Sequence, residues 1–525
     1  MGSDIRSASQ GMRLALTIAL PSIGNMVFVS IFMVLVFGAG NGLLYDGDTG
    51  YHIRTGEEIL KHWRVPAHDI FSAHLPPLKW TAHEWLSEII LAAVHKVSGL
   101  TGIVIFFALL LAATHWLLYF ILTQKSANLT LVITTTFLAT ATSSSHWLAR
   151  PHVFSLLFTM VCYHLLDRFQ YGNRATLHYL PILMIFWVNL HGGYFFGLVL
   201  ICLYFGGNLL SSFFSSPQVS KEHQKKAKTL FAYLILTVTA CGINPLGFEI
   251  LLFPLKLTSN RFLMDRVIEF LSPNFHEALP FKYMLLATIG ALALSRAPLN
   301  LIESGLILLL SYMALYSARY MSLFAIIVAP LLLKSGESAI GNLPAQVGRF
   351  LQTRNRNLAA IDKKVRGYVW PIAATLLVIG LGLGGSLQFT FDEKRFPVAA
   401  VKFLNRELIT GNMFNNDEFG DYIIFSAWPK YRVFMDGRSD MYGEKLGSAY
   451  FQVANLQPGW KEVFARNDIS WVIFDTKSAL TAALNGDGDW RPIYSDEVAT
   501  IFVKKIADHA PLLAKYPAIE LTIAK

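Results

Sequence analysis

Charge is scarce in this sequence. Aspartate, glutamate, lysine and arginine make up 15% of its 525 residues, against about 25% in a soluble globular domain. That balance excludes a water-solvated domain over most of the chain and makes lipid the main solvent. Cysteine is nearly absent. Cys162, Cys202 and Cys241 all sit in apolar stretches, which excludes a disulfide framework and a thiolate metal cluster. Walker motifs, a Ser-His-Asp order and a dinucleotide fingerprint are missing, so chemistry on soluble nucleotides lacks support. No cleavable leader is evident, because the first apolar stretch, 13–38, exceeds a signal h-region and is expected to stay as an anchor. Beyond residue 389 apolar runs of spanning length are missing too.

What is present is a series of such runs. A spanning helix needs about 20 apolar residues. The candidates are 13–38, 101–122, 128–147, 152–167, 178–190, 194–213, 229–243, 282–296, 299–316, 320–334 and 367–389. The expected fold is a polytopic α-helical membrane protein of about eleven spans, within a range of roughly 11–13. Two basic segments set its orientation: 220–228 (SKEHQKKAK), and the loop 335–366, with Arg349, Arg354, Arg356, Lys363, Lys364 and Arg366. Positive loops stay in the cytoplasm, as does the N-terminus, flanked by Arg6 and Arg13. Eleven spans then put residues 390–525 outside, as expected of a bacterial inner-membrane protein with a periplasmic domain. The net charge of +9 suits this bias better than nucleic-acid binding, and no nucleic-acid partner is expected. Residues 85–97 (WLSEIILAAVHKV) are apolar but short, and read as an interfacial or re-entrant helix.

The unusual polar residues gather on the outer side. The first outer loop, 41–84, carries Asp46-Gly47-Asp48, His52, Arg54, His83 and Glu84. His146, Arg150 and His152 lie between two outer span ends, and Asn189 and His191 at another. Asn244 opens the outer loop 244–280, which contains Glu269, and Arg319 lies at the outer ends of spans 299–316 and 320–334. Snorkelling explains arginine and lysine at helix ends. It does not explain histidines and asparagines clustered on one side, and a shared outer cavity is the reading that does.

Asp46 and Asp48 can hold a divalent cation, magnesium or manganese, with substrate phosphates. Equally, one carboxylate can act without metal as general base on an acceptor hydroxyl. A solvated Asp-Gly turn is the plain alternative. Arg54, Arg150 and Arg319 are suited to clamp a phosphate, and His146, His152 and His191 to donate to its oxygens. Their spacing is not that of a zinc site.

The stretch Asp46-Gly47-Asp48-Thr49-Gly50-Tyr51-His52-Ile53-Arg54, with Val65-Pro66-Ala67-His68-Asp69 and Trp80-Thr81-Ala82-His83-Glu84-Trp85, resembles the membrane glycosyltransferases of the GT-C superfamily. Protein O-mannosyltransferases, aminoarabinose transferases and oligosaccharyltransferases belong to that superfamily. Arg150-Pro151-His152, Asn189-Leu190-His191-Gly192-Gly193, Asn244-Pro245-Leu246-Gly247 and Ala318-Arg319-Tyr320 continue the resemblance. It implies a GT-C-like catalytic domain over 1–389 that takes a sugar from a polyprenyl-phosphate donor and transfers it, on the outer face, to a protein, lipid or glycan. It also implies that Asp48 is the base or metal ligand and Asp46 its partner, here as Asp-Gly-Asp where some relatives have adjacent Asp-Glu. Arg54, Arg150, Arg319 and His191 would then hold the donor phosphate. The remaining residues, His52, His83, Glu84, His146, His152, Asn189, Asn244 and Glu269, would line the acceptor side or cavity.

Residues 390–525 read as a soluble α/β domain, with strands at 422–425, 431–435, 469–475 and 498–504 and a helix over 476–484. Asp436 and Arg438 at a strand end either reach the cavity or close a turn by their own ion pair. Two rival functions remain: a transporter or flippase of lipid-linked glycans, and a non-catalytic scaffold. No repeat of the Asp-Gly-Asp loop in the second half supports the inverted-repeat logic of a transporter.

Overall fold

The computed structural model describes residues 19–80, 82–342, 355, 358–359, 362, 367–517 and 519. Arg6, Arg13 and the basic residues from Arg349 to Arg366 lie outside them. The chain divides into two compact units. One comprises Met1–Gly40, Ile105–Trp147 and Pro151–Leu387; the other comprises Asn41–Val104, Leu148–Arg150 and Gln388–Lys525.

The first unit is helical, and side-chain caps mark where its helices begin. Ser22 Oγ accepts from the Asn25 N–H at 3.2 Å ahead of helix Ile23–Phe37. Asn128 Oδ1 does the same for Leu131 at 3.2 Å, ahead of helix Leu129–Ser143. Asn300 and Glu303 form a reciprocal capping box before helix Leu301–Tyr316, which satisfies two otherwise orphaned donors. At the centre runs helix Met321–Gly341, buried at every residue from Phe324 to Leu333. It packs against helices Leu129–Ser143, Pro280–Leu294 and Leu301–Tyr316, with the Phe281 ring edge-on to Phe324 at 5.2 Å. The outside is apolar as well, exposing Phe137, Ile182, Phe214, Leu286, Leu308 and Leu376. Helices apolar on both faces are the mark of a hydrocarbon solvent.

Among the described residues, three helices are long and apolar enough to cross a membrane: Trp85–Lys125, Tyr194–Phe214 and Ala318–Gly341. Ile23–Phe37, Pro280–Leu294, Leu301–Tyr316 and Val369–Leu383 are apolar but shorter, about 22–24 Å at 1.5 Å per residue. One expectation changes. The basic segment 220–228 is not a loop but the start of helix Pro217–Cys241. Pro217 opens that helix, and Glu222 pairs with Lys226 one turn on at 2.8 Å, so the helix runs past its apolar half. Residues 85–97 form a helix separated from the following apolar stretch by non-helical backbone at Ser98 and Gly99.

The second unit holds a four-stranded sheet of order β1-β2-β4-β3, with β1 Asn412–Asn415, β2 Ile469–Asp475, β3 Trp490–Ser495 and β4 Ala499–Lys504. β1 pairs with β2 in parallel, while β2–β4 and β3–β4 are antiparallel. Its core centres on Phe414, whose ring meets Phe434 at 4.9 Å, Phe464 at 5.3 Å and Tyr450 at 5.6 Å. The strands at 469–475 and 498–504 and the helix near 476–484, observed at Ala479–Asn485, match the sequence reading. Two strands do not. Residues 422–425 lie in helix Asp417–Ala427, whose N-cap Asn416 accepts from the Phe419 N–H at 3.3 Å. Four consecutive apolar residues, three of them buried, carry no period that separates strand from helix. Residues 431–435 form only an isolated bridge, Ser72 to Val433. There the Asn415 side chain replaces a neighbouring strand, accepting from Phe434 N–H at 2.7 Å and donating to the Met435 carbonyl at 2.7 Å.

The expected loop 41–84 is also more ordered than a loop. It contains helix Asp48–His62, which packs on helix Asp417–Ala427. It also crosses the chain at Glu88 so closely that a Cβ at Gly56 would stand 1.9 Å from the Glu88 carbonyl oxygen. Only glycine permits that crossing.

Candidate functional site

In the second unit, Asp48 is the first residue of its helix, and Gly47 the cap. The Asp48 N–H donates to Asp46 Oδ1 at 2.9 Å, so Asp46 satisfies an end amide as an Asx turn does. The positive end of the helix dipole favours both carboxylates. One guanidinium bridges them: Arg150 Nη1 donates to Asp46 Oδ2 at 2.8 Å, and Nη2 pairs with Asp48 Oδ2 at 2.5 Å. Arg150 is itself placed by the neighbouring Ala149, whose N–H donates to Leu43 O at 2.8 Å and whose carbonyl accepts from Thr49 Oγ1 at 3.0 Å.

A further carboxyl, not singled out from sequence, abuts this group. Asp421 accepts from the Gly437 N–H at 3.0 Å. A Cβ built on Gly437 would stand 2.1 Å from Asp48 Oδ1 and 2.9 Å from Asp421 Oδ2. Nothing larger than hydrogen fits between the two acids. Burial, then the charges of Asp48 and Asp436, push the Asp421 carboxyl well above the ordinary carboxylate range, the expected result when like charges share a dry space.

His52, one turn beyond Asp48, is buried between two acids, with Nδ1 3.3 Å from Glu88 Oε1 and Nε2 3.6 Å from Glu84 Oε2. His83 Nε2 lies 3.6 Å from the other Glu84 oxygen. Burial, then the positive charges of Arg150, His83 and Arg438, hold the His52 imidazole well below its usual range. It is neutral at pH 7.

Asp436 and Arg438 are each other's partners. Arg438 Nε donates to Asp436 Oδ1 at 2.8 Å, Nη2 to Oδ2 at 2.6 Å, and Nη1 to Asp69 Oδ1 at 2.8 Å. Tyr442 also donates to Asp436 at 2.6 Å, and the guanidinium lies 4.6 Å from the Trp80 ring and 5.1 Å from that of Phe71. Burial opposes ionisation of Asp69, yet the Arg438 charge and the hydrogen bonds from Ser72, Phe71 and Arg438 together outweigh it and hold that carboxyl below its ordinary range. Arg54 is committed elsewhere, donating to the Phe425 carbonyl at 2.7 Å and to Glu57 at 2.5 Å.

In the first unit the three outer histidines meet. The His146 and His152 rings are 4.5 Å apart and those of His152 and His191 6.4 Å. His191 Nδ1 accepts from the Gly193 N–H at 2.9 Å and lies 2.7 Å from Ser155 Oγ, itself taking the Trp187 indole N–H at 2.7 Å. This bonding assigns the His191 proton to Nε2, making that nitrogen a donor. Glu269 joins the group, 3.0 Å from Arg319 Nη1 and 3.6 Å from His146 Nε2. Asn189 and Asn244 instead tie backbone together. Asn244 Nδ2 donates to Asn189 Oδ1 at 3.1 Å, and Asn189 Nδ2 to the Ile243 carbonyl at 2.8 Å.

Asp46 and Asp48 do not fit a divalent cation as they stand. Both outer oxygens face Arg150, the second Asp46 oxygen takes a backbone amide, and Asp48 Oδ1 lies against Gly437. Among the described residues, no group of three or more histidine, cysteine, aspartate or glutamate side chains has metal-holding geometry.

No protein-family model matches the sequence, and no curated protein matches it. Solved structures do. One is the archaeal oligosaccharyltransferase AglB from Archaeoglobus fulgidus in complex with an inhibitory peptide and a dolichol-phosphate. It matches at a TM-score of 0.52 with 11% identity, over 92% of this chain and 74% of that one. The Archaeoglobus fulgidus oligosaccharyltransferase in its apo form matches at a TM-score of 0.50 with 11% identity, over 94% and 75%. At that identity the likeness speaks for the fold, and the fold of this chain is GT-C-like.

Proposed function

We propose that this protein is a membrane glycosyltransferase that moves a sugar from a polyprenyl-phosphate donor to a protein, lipid or glycan acceptor on the extracytoplasmic face. The observation that carries the reading is the setting of Asp48: at a helix N-terminus, clamped by Arg150 and pressed through Gly437 against a second carboxyl. In this reading Asp48 takes the proton of an acceptor hydroxyl. The acceptor oxygen bonds to the anomeric carbon as the bond from that carbon to the phosphate oxygen breaks, and the lipid phosphate leaves with the electron pair. Arg150 supplies fixed positive charge beside the two acids. The likeness to an oligosaccharyltransferase holding a peptide and a dolichol-phosphate supports a lipid-linked donor and favours a protein acceptor.

In the helical unit, Arg319, His146 and the His191 Nε2–H are donors suited to a phosphate at lipid headgroup level. We assign residues 1–389 to the membrane catalytic domain, with eleven crossings and a cytoplasmic N-terminus in a bacterial inner membrane, and 390–525 to a periplasmic domain. The test is mass spectrometry of protein, lipid and polymer glycans from cells carrying the native chain, Asp48→Asn, or neither. A glycan that disappears in the last two supports the reading; an unchanged glycan profile overturns it.

A further inference from the structure

The helical unit contains a cavity of about 540 Å³, within the size range of ligand sites. It lies far from the histidine group. Helix His152–Gln170 starts at that group and brings Asp167 to the cavity, about 22 Å further along at 1.5 Å per residue. Helix Met321–Gly341 likewise begins beside Arg319 and delivers Lys334 and Glu337.

The lining is amphipathic. Ile121, Ile302, Leu306 and Leu331 form apolar wall. Two ion pairs close on themselves. Lys125 Nζ donates to both Asp167 oxygens, at 2.8 and 2.7 Å, and lies 5.4 Å from the Tyr171 ring. Lys334 Nζ donates to both Glu303 oxygens, at 2.8 and 2.7 Å. Each pair cancels its own charge. Two further lining residues of opposite sign, Arg168 and Glu337, are exposed. The cavity therefore offers one cation, one anion, an aromatic face and an apolar wall, with no net charge.

We propose that this cavity binds the headgroup of a zwitterionic phospholipid of the phosphoethanolamine class. The phosphate faces Arg168, whose fork suits an oxyanion. The ammonium faces Glu337 and the Tyr171 ring, and the first acyl carbons follow Leu306 and Leu331. An anionic lipid would leave Glu337 opposed to its charge. The inference depends on the membrane setting and not on glycosyl transfer.

The test uses the full chain purified in detergent, offered diacyl phosphoethanolamine lipid, diacyl phosphoglycerol lipid, or soluble O-phosphoethanolamine, with retained ligand read by native mass spectrometry. The native chain should retain the phosphoethanolamine lipid in preference to both others. The double variant Arg168→Gln, Glu337→Gln, both at exposed positions, should bind it roughly tenfold more weakly or worse. Equal retention of the phosphoglycerol lipid, unchanged binding by the double variant, or no retained lipid overturns the proposal. Binding of the soluble headgroup as tight as the lipid's overturns the lipid part of it.

Discussion

The two polar groups of this molecule solve opposite problems. In the mixed unit, Asp46, Asp48 and Asp421 bring three carboxyls together and hold them with Arg150, a helix end and a backbone amide. In the helical unit, His146, His152, His191 and Arg319 collect donors around a single acid, Glu269. One arrangement gathers carboxyls around a guanidinium. The other offers hydrogen bonds to an anion. The contrast says which residues to change for which effect.

Removing the base should have the largest effect. Asp48→Asn should lower transfer by roughly 10²–10⁴-fold, the usual worth of a general base, with the fold intact by thermal unfolding. Arg438→Met comes next and should act on stability, because it strands Asp436 and Asp69 in a buried space. Losing one partner of such a network costs about 3–5 kcal/mol, visible as early unfolding in detergent. Gly437→Ala should cost about 1–3 kcal/mol by overpacking and reduce transfer together with stability, since its methyl meets Asp48.

The pH dependence sharpens the comparison inside the mixed unit. Folded Asp421 holds its proton more tightly than the unfolded chain, so stability falls as pH rises from its ordinary 3.8 toward the raised folded value. Asp421→Asn should remove that slope, its unfolding temperature gaining on the native chain as pH rises. His52 works the other way. Its lowered folded value costs stability as pH falls below 6.5, and His52→Gln should flatten the acid side of the profile. Arg319→Ala should have the smallest effect, raising KM for the lipid donor about tenfold with little change in unfolding temperature.

Much of this arrangement is legible in the sequence, and the reasons for the rest are local. Asp46, Asp48 and Arg150 stand out because acids and arginine near an apolar run are costly unless paired. Asp421 lies hundreds of residues away, and only the packing of helix Asp417–Ala427 on helix Asp48–His62 brings it in. The signal for that helix was Asn416 followed by two acids, a capping pattern that a four-residue apolar run obscured. Arg54 shows how residue type misleads: Glu57, three positions on, was its visible helical partner. Asn189 and Asn244 satisfy backbone carbonyls, a need that no side-chain pattern advertises.

Asp436, Gly437 and Arg438 are neighbours in the chain with separate duties. The outer two close the buried charge network, and the middle one lends its amide to Asp421 beside Asp48. Fold maintenance and the surroundings of Asp48 are thus written into one tripeptide, and neither can drift without disturbing the other. Distant relatives are therefore expected to vary in loop length almost anywhere in this unit before they accept a single insertion there.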